Sequence, residues 1–199
     1  MGNTQLPSVY LVRHGETAWS LSGKHTGLTD VPLTERGERN ASRLRERLQG
    51  FSFANVFTSP QQRASHTCDL AGFGEAAVQD KDLVEWDYGD YEGITTPEIH
   101  KSRPNWDIFN DGCPRGELLS EIGARADRVV ERIRTIDDNV LLFSHSHFLH
   151  VLAARWLGLE PGLGRYFYLG TAALSILAYH HDREDPVIRL WNDCAHSVE

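Results

Sequence analysis

The chain has 199 residues, 40% of them hydrophobic and 24% charged, enough to bury a substantial core as one compact domain, 1–199. A formal net charge of −8 argues against a nucleic-acid-binding surface but leaves room for a small basic pocket. Residues 1–9 carry no leader pattern, no segment approaches ~20 consecutive apolar residues, and Cys68, Cys113 and Cys194 lack CxxC spacing. The expectation is a cytoplasmic protein with reduced thiols, no membrane association and no zinc site.

Residues 9–12 form a short apolar strand that runs into charge, with Arg13, His14 and Glu16 around Gly15. Thr34 caps a helix reaching to about residue 48, with Ala41, Leu44 and Leu48 inward and Arg39, Arg43 and Arg47 in solvent. A second strand, 56–58, leads into Ser59 and Pro60, which suit the cap and first turn of a helix to about residue 71. The stretch 86–117, rich in Gly, Pro, Asp and aromatics, is expected to be a lid-like insertion. Ile122, Ala126, Val129, Val130, Ile133 and Ile136 then recur at helical spacing. A strand at 140–143, a helix at 148–157 that is apolar nearly all round, and a strand at 174–179 complete the chain. This alternation predicts an α/β fold, a three-layer α/β/α sandwich on a largely parallel sheet.

Ligands of such sheets collect beyond the carboxyl ends of the strands, where both Arg13-His14 and Ser144-His145 fall. The motif "TSPQQRAS" puts Arg63 in the first turns of a helix after another strand. Hydrolysis of a phosphate monoester needs a nucleophile, positive charge on the nonbridging oxygens and a proton for the leaving alkoxide. His14 can attack through a neutral ring nitrogen if its other nitrogen donates to a backbone carbonyl. Arg13 and Arg63 offer guanidinium forks suited to phosphate, and His145, if protonated, adds a third positive group.

The motifs "LVRHGET", "TGLTDVPLTERGERNA", "TSPQQRAS", "EWDYGDYEG", "GELLSEIGARADRV" and "FSHSHFLHVLAARWLGL" together resemble the histidine phosphatase superfamily, also called phosphoglycerate-mutase-like. The likeness is greatest to short acid-phosphatase-like and sugar-bisphosphatase-like members. It implies a phosphoglycerate-mutase-like fold and a metal-independent phosphatase acting on small phosphorylated metabolites. It also implies that His14 becomes phosphorylated, that Glu85 first protonates the leaving oxygen and then activates water, and that Thr26 or the neighbouring backbone at Gly27 holds phosphate. No cofactor is implied, and a homodimer is compatible with the sequence.

Four positions depart from the family pattern. Ser20 stands where asparagine is usual, Ser146 replaces a glycine, Leu118 replaces a small hydroxyl residue, and His150 takes a position where arginine is common. Ser146 can present its backbone N–H to phosphate, but a positive φ there would introduce strain. These departures keep open a catalytically weakened binding member as an alternative, beside a phosphoglycerate or phosphosugar mutase. A metal hydrolase built on His145, His147 and His150, with His180 and His181 further along, lacks evident partner carboxylates at other strand ends. Lys24, His25 and Arg115 lie in loops that would overhang the pocket mouth and favour substrates with a second anionic group.

Overall fold

A computed structural model describes residues 6–197; the reading of residues 1–5 as free of a leader pattern lies outside them. A six-stranded mixed sheet holds β1 (Val9–Arg13), β2 (Asn55–Thr58), β3 (Ala77–Gln79), β4 (Val140–Ser144), β5 (Leu174–Tyr179) and β6 (Pro186–Asp193), in the order β3-β2-β4-β1-β5-β6. The neighbours from β3 to β1 pair in parallel, whereas β5 runs antiparallel to both β1 and β6.

Among the described residues seven α-helices accompany the sheet: α1 (Ala18–Ser22), α2 (Glu35–Leu48), α3 (Gln62–Leu70), α4 (Thr96–His100), α5 (Ile108–Asp111), α6 (Leu119–Arg134) and α7 (Ser146–Trp156). The two-residue period of a strand divides its side chains between two cores. Val9, Leu11, Val140 and Leu142 pack with Ile122, Ala126 and Val129 of α6 and Phe148 and Leu152 of α7. Tyr10, Val12, Leu141 and Phe143 pack with Leu44 and Leu48 of α2 and Cys68 of α3. Helices therefore cover both faces, and three layers result.

The segment 86–117 shares the first of these cores: Trp86, Tyr88, Ile99, Trp106, Ile108 and Phe109 are buried in it. Its indole N–H groups are satisfied internally, Trp86 by the Glu117 carbonyl at 2.8 Å and Trp106 by the Gly112 carbonyl at 2.7 Å. Among the described residues no helix is long and apolar enough to cross a membrane.

Two local expectations need correction. Ser59 does not cap α3; Gln61 holds the N-cap position without a side-chain cap bond, and Ser59 is fully buried beneath the site. The buried helix α7 begins at Ser146, earlier than its apolar run, because polar Ser146 and His147 occupy its first turn at the mouth of a cavity.

Candidate active site

Parallel pairing of β1 with β4 aligns Arg13 with Ser144, so the next residues, His14 and His145, leave the sheet side by side. The His14 N–H donates to the Ser144 carbonyl at 3.0 Å, and the two imidazole centroids lie 5.1 Å apart. The adjacent strand end joins the same layer, since the Ser59 N–H donates to the Phe143 carbonyl at 2.9 Å.

The His14 Nδ1 lies 2.7 Å from the Gly15 carbonyl. A carbonyl only accepts, so this contact places the proton on Nδ1 and leaves the Nε2 lone pair free. The loop is held from both sides. Thr67 Oγ1 accepts from the Gly15 N–H at 3.0 Å while donating to the Arg63 carbonyl at 2.6 Å. On the other side Gly15 meets Gly37 of α2 so closely that a Cβ on Gly15 would fall 2.6 Å from the Gly37 carbonyl oxygen. Glu16 is buried here and binds Arg36 and the Thr34 hydroxyl, tying the catalytic loop to the start of α2.

His145 is fully buried and bonded at both nitrogens. Its Nδ1 accepts from Arg63 Nε at 3.1 Å, so its Nε2 carries the proton and donates to Ser59 Oγ at 2.8 Å. Burial, then the charges of Arg63 and Arg13, push the pKa values of both His14 and His145 well below the ordinary histidine value; His14 adds to the effect on His145. The condition on which His145 was expected to add positive charge, protonation, is therefore not met: with Nδ1 accepting from Arg63 the ring is neutral.

Arg63 is equally committed. Nη1 donates to the Thr29 carbonyl at 3.0 Å, and Nη2 serves the carbonyls of Thr26 and Gly27 and the Gln61 amide oxygen at 2.9–3.1 Å. Arg63 thus pins the 26–29 loop over the site and supplies its charge from below. Arg13 donates from Nη1 to the Leu169 carbonyl, while its Nε has no hydrogen-bond partner, so part of its fork stays uncommitted.

Glu85 is buried, and its carboxylate sits on the start of α7. It accepts from the backbone N–H groups of Trp86 at 2.9 Å, Phe148 at 2.9 Å and His147 at 3.2 Å. His145, the N-cap residue, has its ring engaged elsewhere, so Glu85 caps the helix from a different segment.

Arg13, His14 and Glu85 all face one cavity of ≈ 200 Å³. Exposed Lys24 marks its mouth, and Ser20, His25, Thr26, Tyr88, Ser146 and His147 also line it. The Tyr88 hydroxyl, its pKa raised well above the usual tyrosine value chiefly by burial, is hydrogen-bonded with His147 Nδ1 at 2.6 Å. Burial and neighbouring positive charge lower His147 to about 4, and burial followed by His147 lowers His25 to about 4. The mouth therefore carries neutral imidazoles, with Lys24 as its cation.

The other predicted residues fall in distinct places. Ser20 and Thr26 line the cavity, but the Ser20 hydroxyl is engaged with the Thr17 backbone, accepting at 2.9 Å and donating at 3.0 Å, as half of a capping box on α1. Thr26 Oγ1 donates to the Lys24 carbonyl at 3.2 Å. Gly27 lies outside the cavity lining, and its N–H is already shared by both Glu92 oxygens at 2.9 Å, so its expected phosphate contact is not available here. Ser146 lines the cavity as the first residue of α7 and is not among the positive-φ residues, which removes the expected strain. Arg115 pairs with Asp90 and faces a different surface hollow, so it does not overhang the catalytic mouth. Leu118 occupies the N-cap of α6 with its side chain exposed; its departure from a hydroxyl residue touches helix capping, not the cavity. His150 is buried behind Ser146, its Nε2 3.5 Å from Ser146 Oγ.

No ligand set forms from the H-x-H motif: both His145 nitrogens are engaged, and His147 Nδ1 holds Tyr88. The supporting residues Gln61, Thr67 and Glu92 were not singled out from the sequence, and Ser59 was read there only as a helix cap. Glu92 had a signal, since it closes the E-x-x-x-G-x-x-E-G motif opened by Glu85. It receives the N–H groups of Gly27 and Thr29 and so shapes the loop that Arg63 pins.

A phosphoester-sized cavity at parallel strand ends, with an oriented histidine, an arginine and a carboxylate, defines a histidine-based phosphatase site. Residues 9–194 match the family model of the histidine phosphatase superfamily (branch 1), and the chain belongs to that family as a phosphatase-type hydrolase. An acid phosphatase of Mycobacterium tuberculosis is 40% identical over 177 residues, covering 86% of each chain. A sedoheptulose 1,7-bisphosphatase of Saccharomyces cerevisiae is 39% identical over 186 residues, covering 77% of this chain and 68% of that protein. The solved structure of a Mycobacterium tuberculosis open-reading-frame product superposes with a TM-score of 0.89 at 36% identity, covering 94% of this chain and 97% of that one.

Proposed function

We propose that the protein hydrolyses phosphate monoesters of small metabolites, without a metal, through a phosphohistidine on His14. The observation that carries this reading is the Gly15 carbonyl on His14 Nδ1, which leaves Nε2 as an uncommitted lone pair in a cavity also lined by Arg13 and Glu85. In the first half-reaction Nε2 forms a bond to phosphorus as the bond to the leaving oxygen breaks. Arg13 binds nonbridging oxygens, and protonated Glu85 gives its proton to the leaving alkoxide. In the second, water attacks phosphorus, Glu85 takes a proton from it, and the P–N bond breaks to return neutral His14 and inorganic phosphate. Arg63, His145 and Ser59 act beneath as a fixed network that keeps the donors oriented before substrate arrives.

Trapping with a phosphate monoester tests this directly. An acid-labile, base-stable phosphoryl group on the wild-type protein, absent in His14→Ala along with turnover, is the expected result. Undiminished hydrolysis of p-nitrophenyl phosphate by His14→Ala would refute it.

A further inference from the structure

At the opposite end of the sheet from the cavity, the turn joining β5 to β6 carries the stretch "HHDRED", residues 180–185. The register places it there: β5 runs antiparallel to β1, with Leu174 beside Val12 and Leu177 beside Val9, so its carboxyl end emerges beyond the start of β1. Adjacent residues of an extended chain point to opposite sides. Here the turn brings the rings of His180 and His181 to the same side, with centroids 3.8 Å apart. Asp185 joins them, and one ligand atom from each of the three residues lies within 4.8 Å of the others. His180 Nδ1 and Asp185 Oδ2 are 3.4 Å apart. Two ligands on a tetrahedral zinc at about 2.0–2.1 Å are separated by about 3.3–3.4 Å.

The backbone already holds this turn. The His180 N–H donates to the Asp185 carbonyl at 2.9 Å, the Asp185 N–H to the Asp182 carbonyl at 3.2 Å, and the Glu184 N–H to Asp182 Oδ1 at 2.8 Å. The one cation in the stretch is drawn off the cluster: Arg183 binds Asp137 and the Arg134 carbonyl, each at 2.6 Å. The carboxylates of Asp182, Glu184 and Asp185 then outweigh it locally, which favours cation approach.

We infer that His180, His181 and Asp185 form a binding site for a divalent transition metal of the zinc class, separate from the catalytic cavity. Two imidazoles and one carboxylate provide three protein ligands, with water completing the shell. The ion bridges both ends of the turn and so fastens the β5–β6 hairpin.

Calorimetric titration of the metal-free, untagged protein with Zn²⁺ at neutral pH tests the site, alongside His180→Ala, His181→Ala and Asp185→Asn. One equivalent should bind, with affinity falling about tenfold or more in each variant. The thermal midpoint should rise with Zn²⁺ in the wild type but not in His180→Ala. Without Zn²⁺ the variants should keep the wild-type midpoint and phosphatase rate, because the two rings are exposed, Asp185 is half-buried and the turn lies at the opposite end of the sheet from His14. No stoichiometric binding by the wild type, or equal binding by wild type and His180→Ala, would overturn the site without touching the catalytic reading.

Discussion

The floor and the mouth of the cavity are built on different physical terms. In the floor, Arg63, His145, Ser59 and Thr67 are fully buried, and the first three form a continuous hydrogen-bonded network. At the mouth, Lys24, His25 and Thr26 stand on a loop between α1 and α2, with Lys24 resting its ammonium 5.6 Å from the Trp19 ring centroid. A floor of this kind spends little reorganisation when charge develops on the phosphoryl group, whereas a mouth with an exposed Lys24 leaves room for different leaving groups. Chemistry and selectivity are thereby separated along the depth of one cavity.

Glu85 joins the two regions, so of the changes that compare them its substitution gives the largest expected effect. Glu85→Gln keeps the shape and a carbonyl oxygen for the α7 amides but has no transferable proton. Turnover should fall steeply for sugar-alcohol leaving groups and less for p-nitrophenolate. Glu85→Ala should lose the same turnover and, in addition, about 1 kcal/mol of stability as the first turn of α7 loses its acceptor. Leaving-group profiles and denaturant midpoints of the two variants separate the roles. Equal losses across leaving groups would count against Glu85 as the acid.

Acid should destabilise the fold through the buried histidines of floor and mouth together. The unfolded chain takes up protons near pH 6.5 on histidines that the folded protein keeps neutral, among them His14 and His145. Unfolding therefore gains as pH falls through that value, by up to about 1.4 kcal/mol per pH unit for each such ring. His147 and His25, held at about 4, add to the loss between pH 6.5 and that pH. Thermal midpoints should be flat above pH 7 and decline steadily from pH 6.5 to 4. A midpoint that rises with acidification would contradict the neutral floor.

The smallest effect belongs to the mouth. With His25 neutral and Arg115 turned away, Lys24 is the loop cation left to meet a second anionic group. Lys24→Ala should lower the ratio of bisphosphate to monophosphate turnover a few-fold, less at high salt, since an exposed charge is worth on the order of 1 kcal/mol. An unchanged ratio would remove Lys24 from substrate selection.

The same division governs what could be read from sequence. Strands β1, β2, β4 and β5 announce themselves as apolar runs, and α2 and α6 by their periodic faces, because each buries a regular set of side chains. The edge strands did not: β3 is three residues with Val78 and Gln79 exposed, and the half-buried β6 mixes Arg189 and Asn192 with its apolar residues. His14 and Arg63 were legible as motif residues at strand and helix ends, and Glu85 through the family resemblance. The commitment of the Arg63 guanidinium to loop carbonyls was not, nor the neutral state of His145, because both depend on partners 34 or more residues away that only the folded chain supplies.

The most direct test of the account is the protonation state of His14, read by nitrogen-15 NMR of selectively labelled imidazoles across pH 5–8. A neutral His14 ring with its proton on Nδ1 is predicted throughout that range, and a neutral His145 with its proton on Nε2. A His14 that titrates near 6.5, or one that carries its proton on Nε2, would contradict it.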